Sequence, residues 1–215
     1  MSILQEISAF LQQGRAPKVK ELVSQAIEEG ISPKQILEEG LLVGMSIIGE
    51  KFKNNEVFVP EVLIAARAMN SGVEILKPHL VSEGIESKGT VVLGTVKGDL
   101  HDIGKNLVKM MLEGKGLNVI DLGVDVAPET FVEKAREVNS QIICCSALLT
   151  TTMGEMKNVV EKAKEAGIRD SVKIMIGGAP VTQQFCESIE ADVYTPDAAT
   201  CSDEALKLCL DKQAY

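Results

Sequence analysis

The chain has 215 residues, enough for one large domain or two small ones. Its formal net charge of −9, from 22 basic and 31 acidic residues, works against partners that are nucleic acids or anionic membrane surfaces. No apolar run reaches the length of a membrane span, and the N-terminal stretch lacks the basic region and cleavage site of a secretory signal, so a cytoplasmic location is expected.

Residues 1–85 predict helix throughout. Ile3, Leu4, Ile7, Phe10 and Leu11 recur at helical spacing, and Val19, Leu22, Val23, Ala26 and Ile27 repeat the pattern. Gly14 and Gly30 are placed to end these two helices. Ser32-Pro33-Lys34-Gln35 reads as an N-cap, a first-turn proline and a capping box for a third helix. Pro60 opens a fourth, with Val62, Ala65, Ala66, Met69, Val73 and Leu76 on one face. Four amphipathic helices with short links predict an antiparallel bundle. Val81–Gly89 is polar and glycine-containing, and reads as a linker.

Residues 86–215 change period. Strands are expected at Thr90–Val96, Val119–Leu122, Ile142–Ser146, Val172–Ile176 and Asp192–Tyr194. Helices are expected between and after them, at Gly104–Glu113, Pro128–Val138, Met153–Ala166, Val181–Ser188 and Ser202–Lys212. The fold class is therefore α/β. Alternating strands and helices predict a doubly wound, flavodoxin-like parallel sheet of five strands, with its ligand beyond the strands' carboxyl ends. The five cysteines include no CxxC pair, which argues against a disulfide framework. Cys144 and Cys145 read as small buried strand residues.

Three segments follow strand ends at that edge. The first, from Val96 to Asn106, carries Gly98, Asp99, His101, Asp102, Ile103 and Gly104. A neutral imidazole suits a borderline transition metal, and Asp99 is near enough to orient it. A loop histidine can equally be solvated or capping, but its place between two aspartates at a sheet switch point favours a ligand. With one other histidine in the chain, His79, and no cysteine in motif range, a bare zinc or iron cage is not expected. That favours a metal whose remaining positions come from a macrocycle. The second segment, Ser146 to Thr152, is rich in hydroxyls, which also serve as plain helix caps. The third, Gly177-Gly178-Ala179, permits positive φ and close approach of a flat group, though a bare turn explains it as well.

Together these segments resemble the B12-binding domain of cobalamin-dependent methyltransferases. Asp99-x-His101-x-x-Gly104 matches that family's Asp-x-His-x-x-Gly signature, and Ser146-x-Leu148 and Gly177-Gly178 match its second and third elements in order. The helical half resembles the cap domain found in cobalamin-dependent methionine synthase, so the likeness covers nearly the whole chain, with 1–85 as cap and 86–215 as B12-binding domain. A free-standing pair of this kind is similar to the corrinoid proteins of methanol, methylamine, methoxyaromatic and betaine methyltransferase systems.

The resemblance implies a cobalamin or related corrinoid bound base-off, His-on, with His101 on cobalt. Asp99 would bond the other imidazole nitrogen, and Thr152 stands where a serine hydroxyl would extend the relay. Gly104, Ser146, Leu148, Thr150, Gly177, Gly178 and Ala179 would line a slot for the nucleotide tail, beside the loop residues Gly98, Asp102 and Ile103. Phe58, Ala65 and Met69 are candidates to cover the upper corrin face. The implied role is a methyl carrier, without catalysis of its own, between a substrate-specific methyltransferase and a second methyltransferase serving a pterin or thiol acceptor. The methyl group would arrive on cobalt(I) and leave from methyl-cobalt(III), with a reductive activation protein in attendance. The 81–89 segment would act as hinge. The competing readings are a B12-binding isomerase subunit, which would work with a barrel partner, and a corrinoid sensor, which would need an output domain. A receiver-type flavodoxin fold would want an aspartate after the third strand, where this chain has Ser146.

Overall fold

The computed structural model describes residues 2–82 and 87–213. It divides into two compact units, with the break after Ser87 and the short Gly114–Gly116 segment grouped with the first. Part of the expected linker and hinge, residues 83–86, lies outside the described residues.

The first unit is helical: α1 Ile3–Gln12, α2 Ala16–Glu28, α3 Pro33–Gln35, a π-helical segment Ile36–Leu42, α4 Val43–Lys53 and α5 Val59–Ser82. Gly14 and Gly30 end α1 and α2 in the left-handed region, at φ +68° and +79°. The following N–H groups then turn back onto the helix, Arg15 to the Phe10 carbonyl and Ile31 to the Ala26 carbonyl, each at 3.0 Å. Ser32 caps α3 by accepting the Gln35 N–H at 3.2 Å. The complete capping box is found instead at Ser2 and Gln5. The expected third helix is a continuous helical run that widens at Ile36–Leu42. Within and just after the widening, Gly40 and Gly44 let α1 come close. A Cβ on Gly40 would lie 3.2 Å from Ile7 Cγ2, and one on Gly44 would lie 3.1 Å from the Ser8 backbone. The fourth run starts at Val59, and Glu61 accepts the Phe58 N–H at 3.0 Å. Ile7, Leu11, Val23, Ile36, Leu41 and Leu76 are among the buried side chains of this unit.

The second unit is a five-stranded parallel sheet: β1 Thr90–Thr95, β2 Asn118–Asp121, β3 Ile142–Ser146, β4 Lys173–Gly177 and β5 Val193–Tyr194, in the order β2-β1-β3-β4-β5. The helices are α6 Ile103–Glu113, α7 Pro128–Glu137, α8 Gly154–Glu165, α9 Gln183–Ser188 and α10 Ala198–Gln213. Both sheet faces are covered. Val91, Leu93, Cys144 and Met175 pack with Leu112 of α6 and Ala205 of α10. Val92, Ile143 and Ile176 pack with Phe131 of α7 and Val160 of α8. Burial on both faces accounts for strands that read as unbroken apolar runs. All five cysteines are buried thiols outside any disulfide.

Helix starts differ from expectation where a side chain caps the backbone. α10 starts at Ala198, upstream of Ser202, because Asp197 accepts the Thr200 N–H and hydroxyl, each at 2.8 Å. α9 starts at Gln183 because Thr182 Oγ1 accepts the Phe185 N–H at 3.1 Å. Strand order reverses direction between β1 and β3, so their carboxyl ends flank the switch point where ligands of such sheets bind. Among the described residues no helix is long and apolar enough to cross a membrane.

Candidate functional site

The site is built on the segment that leaves β1. Thr95, fully buried, donates its hydroxyl to the His101 carbonyl at 2.8 Å. Val96 continues as an isolated bridge to Val126. Gly98 then turns through φ +79°, a conformation that costs glycine little. This path brings the chain back on itself and leaves Asp99 with no exposed surface.

Both oxygens of that buried carboxylate are used. Oδ1 accepts the His101 backbone N–H at 3.0 Å and faces His101 Nδ1 at 2.7 Å. Oδ2 accepts the Leu148 N–H at 2.8 Å, the Leu149 N–H at 3.2 Å and the Thr152 hydroxyl at 3.0 Å. Burial by itself would raise the Asp99 pKa. The N–H groups of Leu148 and His101, the imidazole and the Thr152 hydroxyl outweigh it and hold the carboxyl well below the usual carboxylate range. Asp99 is therefore ionised, and the matching assignment for His101 puts its proton on Nδ1. Nε2 is the nitrogen left for a ligand, and the side chain is 50% exposed.

The expected hydroxyl segment after β3 contributes mainly through its backbone. Ser146 is half-buried, Ala147 is buried, and Leu148, Leu149 and Thr150 are exposed. The N–H groups of the two leucines, not the hydroxyls of Ser146 or Thr150, reach Asp99. Thr152 is buried, and its hydroxyl proton has two acceptors in reach: Asp99 Oδ2 and the Leu149 carbonyl, both at 3.0 Å.

The glycine pair has a reason internal to the fold. Gly178 sits at φ +133°, and a Cβ there would lie 1.8 Å from the Ala147 carbonyl oxygen. A Cβ on Gly177 would lie 3.1 Å from the Thr195 carbonyl oxygen. The Gly177 carbonyl accepts the Ala147 N–H at 3.2 Å. The pair thus seats the β3 segment, while Ala179 beside it is exposed. Gly104 is the contrasting case, since a Cβ there would meet nothing within 4 Å. Asp102 takes no part in the Asp99 cluster. Its carbonyl accepts the Asn106 N–H at 2.7 Å and its carboxylate the Asn106 amide at 3.3 Å, so its bonds go to the first turn of α6.

Several large apolar side chains near His101 in the chain and after β3 are exposed. Leu100 and Ile103, on either side of His101 and Asp102 in the chain, are 72% and 76% exposed. Leu148 and Leu149 are exposed as well. Exposed large apolar side chains beside one oriented polar group are the character of a ligand face. Among the described residues no group of three or more His, Cys, Asp or Glu side chains is placed to hold a metal ion. One oriented imidazole on an apolar face fits a metal that arrives with its other ligands in a macrocycle. In the helical unit, Phe58 is exposed, whereas Ala65 and Met69 are buried. Two contributors went unseen in the sequence: Thr95, hidden in a strand pattern, and Asp125, which accepts the Gly98 N–H at 2.7 Å. Neither lies in a motif, and only the turn-forming composition around Gly123 hinted at the second.

Known proteins resemble both halves of the chain. Two B12-binding-domain models match, one over residues 89–203 and one over residues 3–77. Trimethylamine corrinoid protein 1 of Methanosarcina acetivorans is 50% identical over 180 residues, 83% of each chain. A corrinoid protein of Desulfitobacterium hafniense is 42% identical over 211 residues, 97% of this chain and 96% of its own. The solved methanol:cobalamin methyltransferase complex MtaBC from Methanosarcina barkeri superposes with a TM-score of 0.86 at 31% identity, covering 98% of this chain and 84% of that one. With a B12-binding model spanning just over half of the chain and relatives this similar along most of their length, the chain belongs to the B12-binding family of corrinoid proteins.

Proposed function

We propose that this protein is a corrinoid-borne methyl carrier and that His101 is the lower axial ligand of the cobalt, in the base-off, His-on arrangement. The observation that carries the reading is the buried, ionised Asp99 with Oδ1 2.7 Å from His101 Nδ1. That contact orients the ring with Nδ1 toward the carboxylate and leaves Nε2 as the nitrogen for the metal. When bound, the corrinoid would supply the cobalt that accepts a methyl group from one partner enzyme and yields it to another.

The chain's own residues have three tasks. Asp99, itself held by Thr152, would keep the imidazole oriented with Nδ1 toward the carboxylate and Nε2 toward the cofactor. Leu100, Ile103, Leu148 and Leu149 offer the apolar surface that keeps water from the lower face. Gly98, Asp102, Gly104, Ser146, Thr150, Gly177, Gly178 and Ala179 lie on the loops of that edge and form the slot for the nucleotide tail. On the helical unit, exposed Phe58 is the candidate to touch the corrin, whereas Ala65 and Met69 are buried and offer it no surface.

A methyltransferase partner is supported by the solved neighbour, which is a methyltransferase complex, and a methylamine as methyl source by the relatives' names. The complete cycle would add a second methyltransferase with a pterin or thiol acceptor and a reductive activation protein, all in the cytoplasm. The test is His101→Ala reconstituted with methylcobalamin. The variant should show the visible spectrum of cobalamin without a histidine ligand and lose methyl transfer with its partner; an unaltered wild-type spectrum would refute the ligand assignment.

A further inference from the structure

The segment after β2 carries a carboxylate that the reading above leaves unused. Asp125 has a left-handed backbone, φ +54°. Its Oδ1 accepts the Gly98 N–H at 2.7 Å, and its own N–H donates to the Asp99 carbonyl at 3.0 Å. The two bonds grip the Gly98–Asp99 turn from both ends. The Gly98 N–H is the outward-facing donor of a left-handed turn, and Asp125 is its charge-assisted partner.

The grip is itself anchored. Asp121, at the end of β2, accepts the Gly123 N–H at 2.9 Å and the buried Lys105 ammonium at 2.6 Å. Thr95 donates its N–H to the Gly123 carbonyl and accepts the Val126 N–H at its own carbonyl, each at 3.0 Å. The same Thr95 holds the His101 carbonyl. The segment from Asp121 to Val126 is therefore a brace on both sides of Asp99: at Gly98 before it, and through Thr95 at His101 after it.

We infer that Asp125 is a positioning residue for the axial ligand, fixing the Gly98–Asp99 turn so that Asp99 Oδ1 meets His101 at the ligating geometry. The inference rests on His101 being that ligand. A ligand constellation tolerates only about 0.5 Å of misplacement before it weakens. A turn held by two bonds at that spot governs how well Nε2 is presented, although Asp125 itself is bonded to the turn and not to the ring.

The backbone conformation dictates the variants. Asp125→Gly keeps the left-handed turn and deletes the acceptor. Asp125→Asn keeps an acceptor oxygen and tolerates the same φ. The full chain is loaded with methylcobalamin, and the visible spectrum at neutral pH reports the fraction of histidine-ligated cobalt, with His101→Ala as the unligated reference. Wild type and D125N should be histidine-ligated. D125G should move toward the H101A spectrum and bind methylcobalamin about tenfold more weakly, the scale of one charge-assisted hydrogen bond. A merely structural role would lower the melting temperature and leave the spectrum alone.

In cofactor-free protein the Gly98 amide should exchange with solvent faster in D125G than in wild type or D125N. A D125G protein that matches wild type in spectrum overturns the inference, as does a D125N protein that behaves like D125G. If wild type itself has the H101A spectrum, the ligand assignment fails first and this inference with it. Should D125G not fold, D125A takes its place in both measurements with the same criteria.

Discussion

Asp99 Oδ1 bonds two groups of one residue, the backbone N–H of His101 at 3.0 Å and its Nδ1 at 2.7 Å. The aspartate thus sets both the turn and the ring that the turn presents. Its pKa is depressed in the folded chain by the donors on Leu148, His101 and Thr152, against the opposing effect of burial. A depressed folded value means stability that is fully present above the unfolded value, about 3.9, and lost as pH falls through the folded one. Asp99→Asn should therefore unfold with about 2 kcal/mol less stability at pH 7, and its stability should fall less steeply than wild type below about pH 5. Urea titrations at pH 7 and about pH 2.5 check this; parallel pH profiles for the two proteins would contradict the assigned ionisation.

Thr152 offers a hydroxyl to Asp99 and, through Cγ2, packs near Gly98, where a Cβ would lie 3.5 Å away. Thr152→Ser should keep the hydrogen bond and cost little. Thr152→Val keeps the shape but removes the donor, and should cost about 1 kcal/mol. Thermal melts of the cofactor-free proteins distinguish the two, and equal melting temperatures for Ser and Val would show that the Asp99 bond contributes nothing.

The two ligand-side glycines should respond with opposite signs. Gly104→Ala meets no atom within 4 Å and lies in α6, so it should stabilise the cofactor-free protein by about 0.5 kcal/mol. The same methyl group should weaken methylcobalamin binding if the open space there belongs to the ligand. Gly178→Ala drives a Cβ to 1.8 Å from the Ala147 carbonyl and should cost about 3 kcal/mol or prevent folding. Binding by G104A that equals wild type would remove Gly104 from the slot.

Lys105 is 3% exposed and lies 2.6 Å from Asp121, whereas Lys109 reaches the same carboxylate at 3.4 Å from a more exposed position. Lys105→Met leaves a partly buried carboxylate without its main partner, and a loss of about 3 kcal/mol is expected. Lys109→Met should cost about 0.5 kcal/mol. Urea unfolding of the two variants is the measurement, and equal losses would mean that burial does not set the worth of this pair.

The period of the apolar residues was sufficient for the class of each half, because a helix and a doubly covered strand impose different repeats on the sequence. The Asp99-x-His101-x-x-Gly104 spacing was legible for a related reason: two residues two positions apart in a loop can meet without help from the rest of the fold. The widened helix at Ile36–Leu42 was not legible, since a π segment leaves apolar spacing close to the α-helical repeat. Its glycines find their use only where α1 crosses them.

What the sequence determined by itself is thus local: helix caps at Ser32, turn glycines at 14 and 30, the strand runs, and the pairing of Asp99 with His101. What only the tertiary structure decided is everything that depends on strand order. Parallel strands bring together loops that are about fifty residues apart in the chain, so the Leu148 and Leu149 N–H groups arrive at Asp99 from β3. In the same way Asp125 arrives at Gly98 from β2, and Ala147 decides that residue 178 must be glycine. No periodicity or motif encodes those meetings, because each partner's local pattern is satisfied equally well without the other.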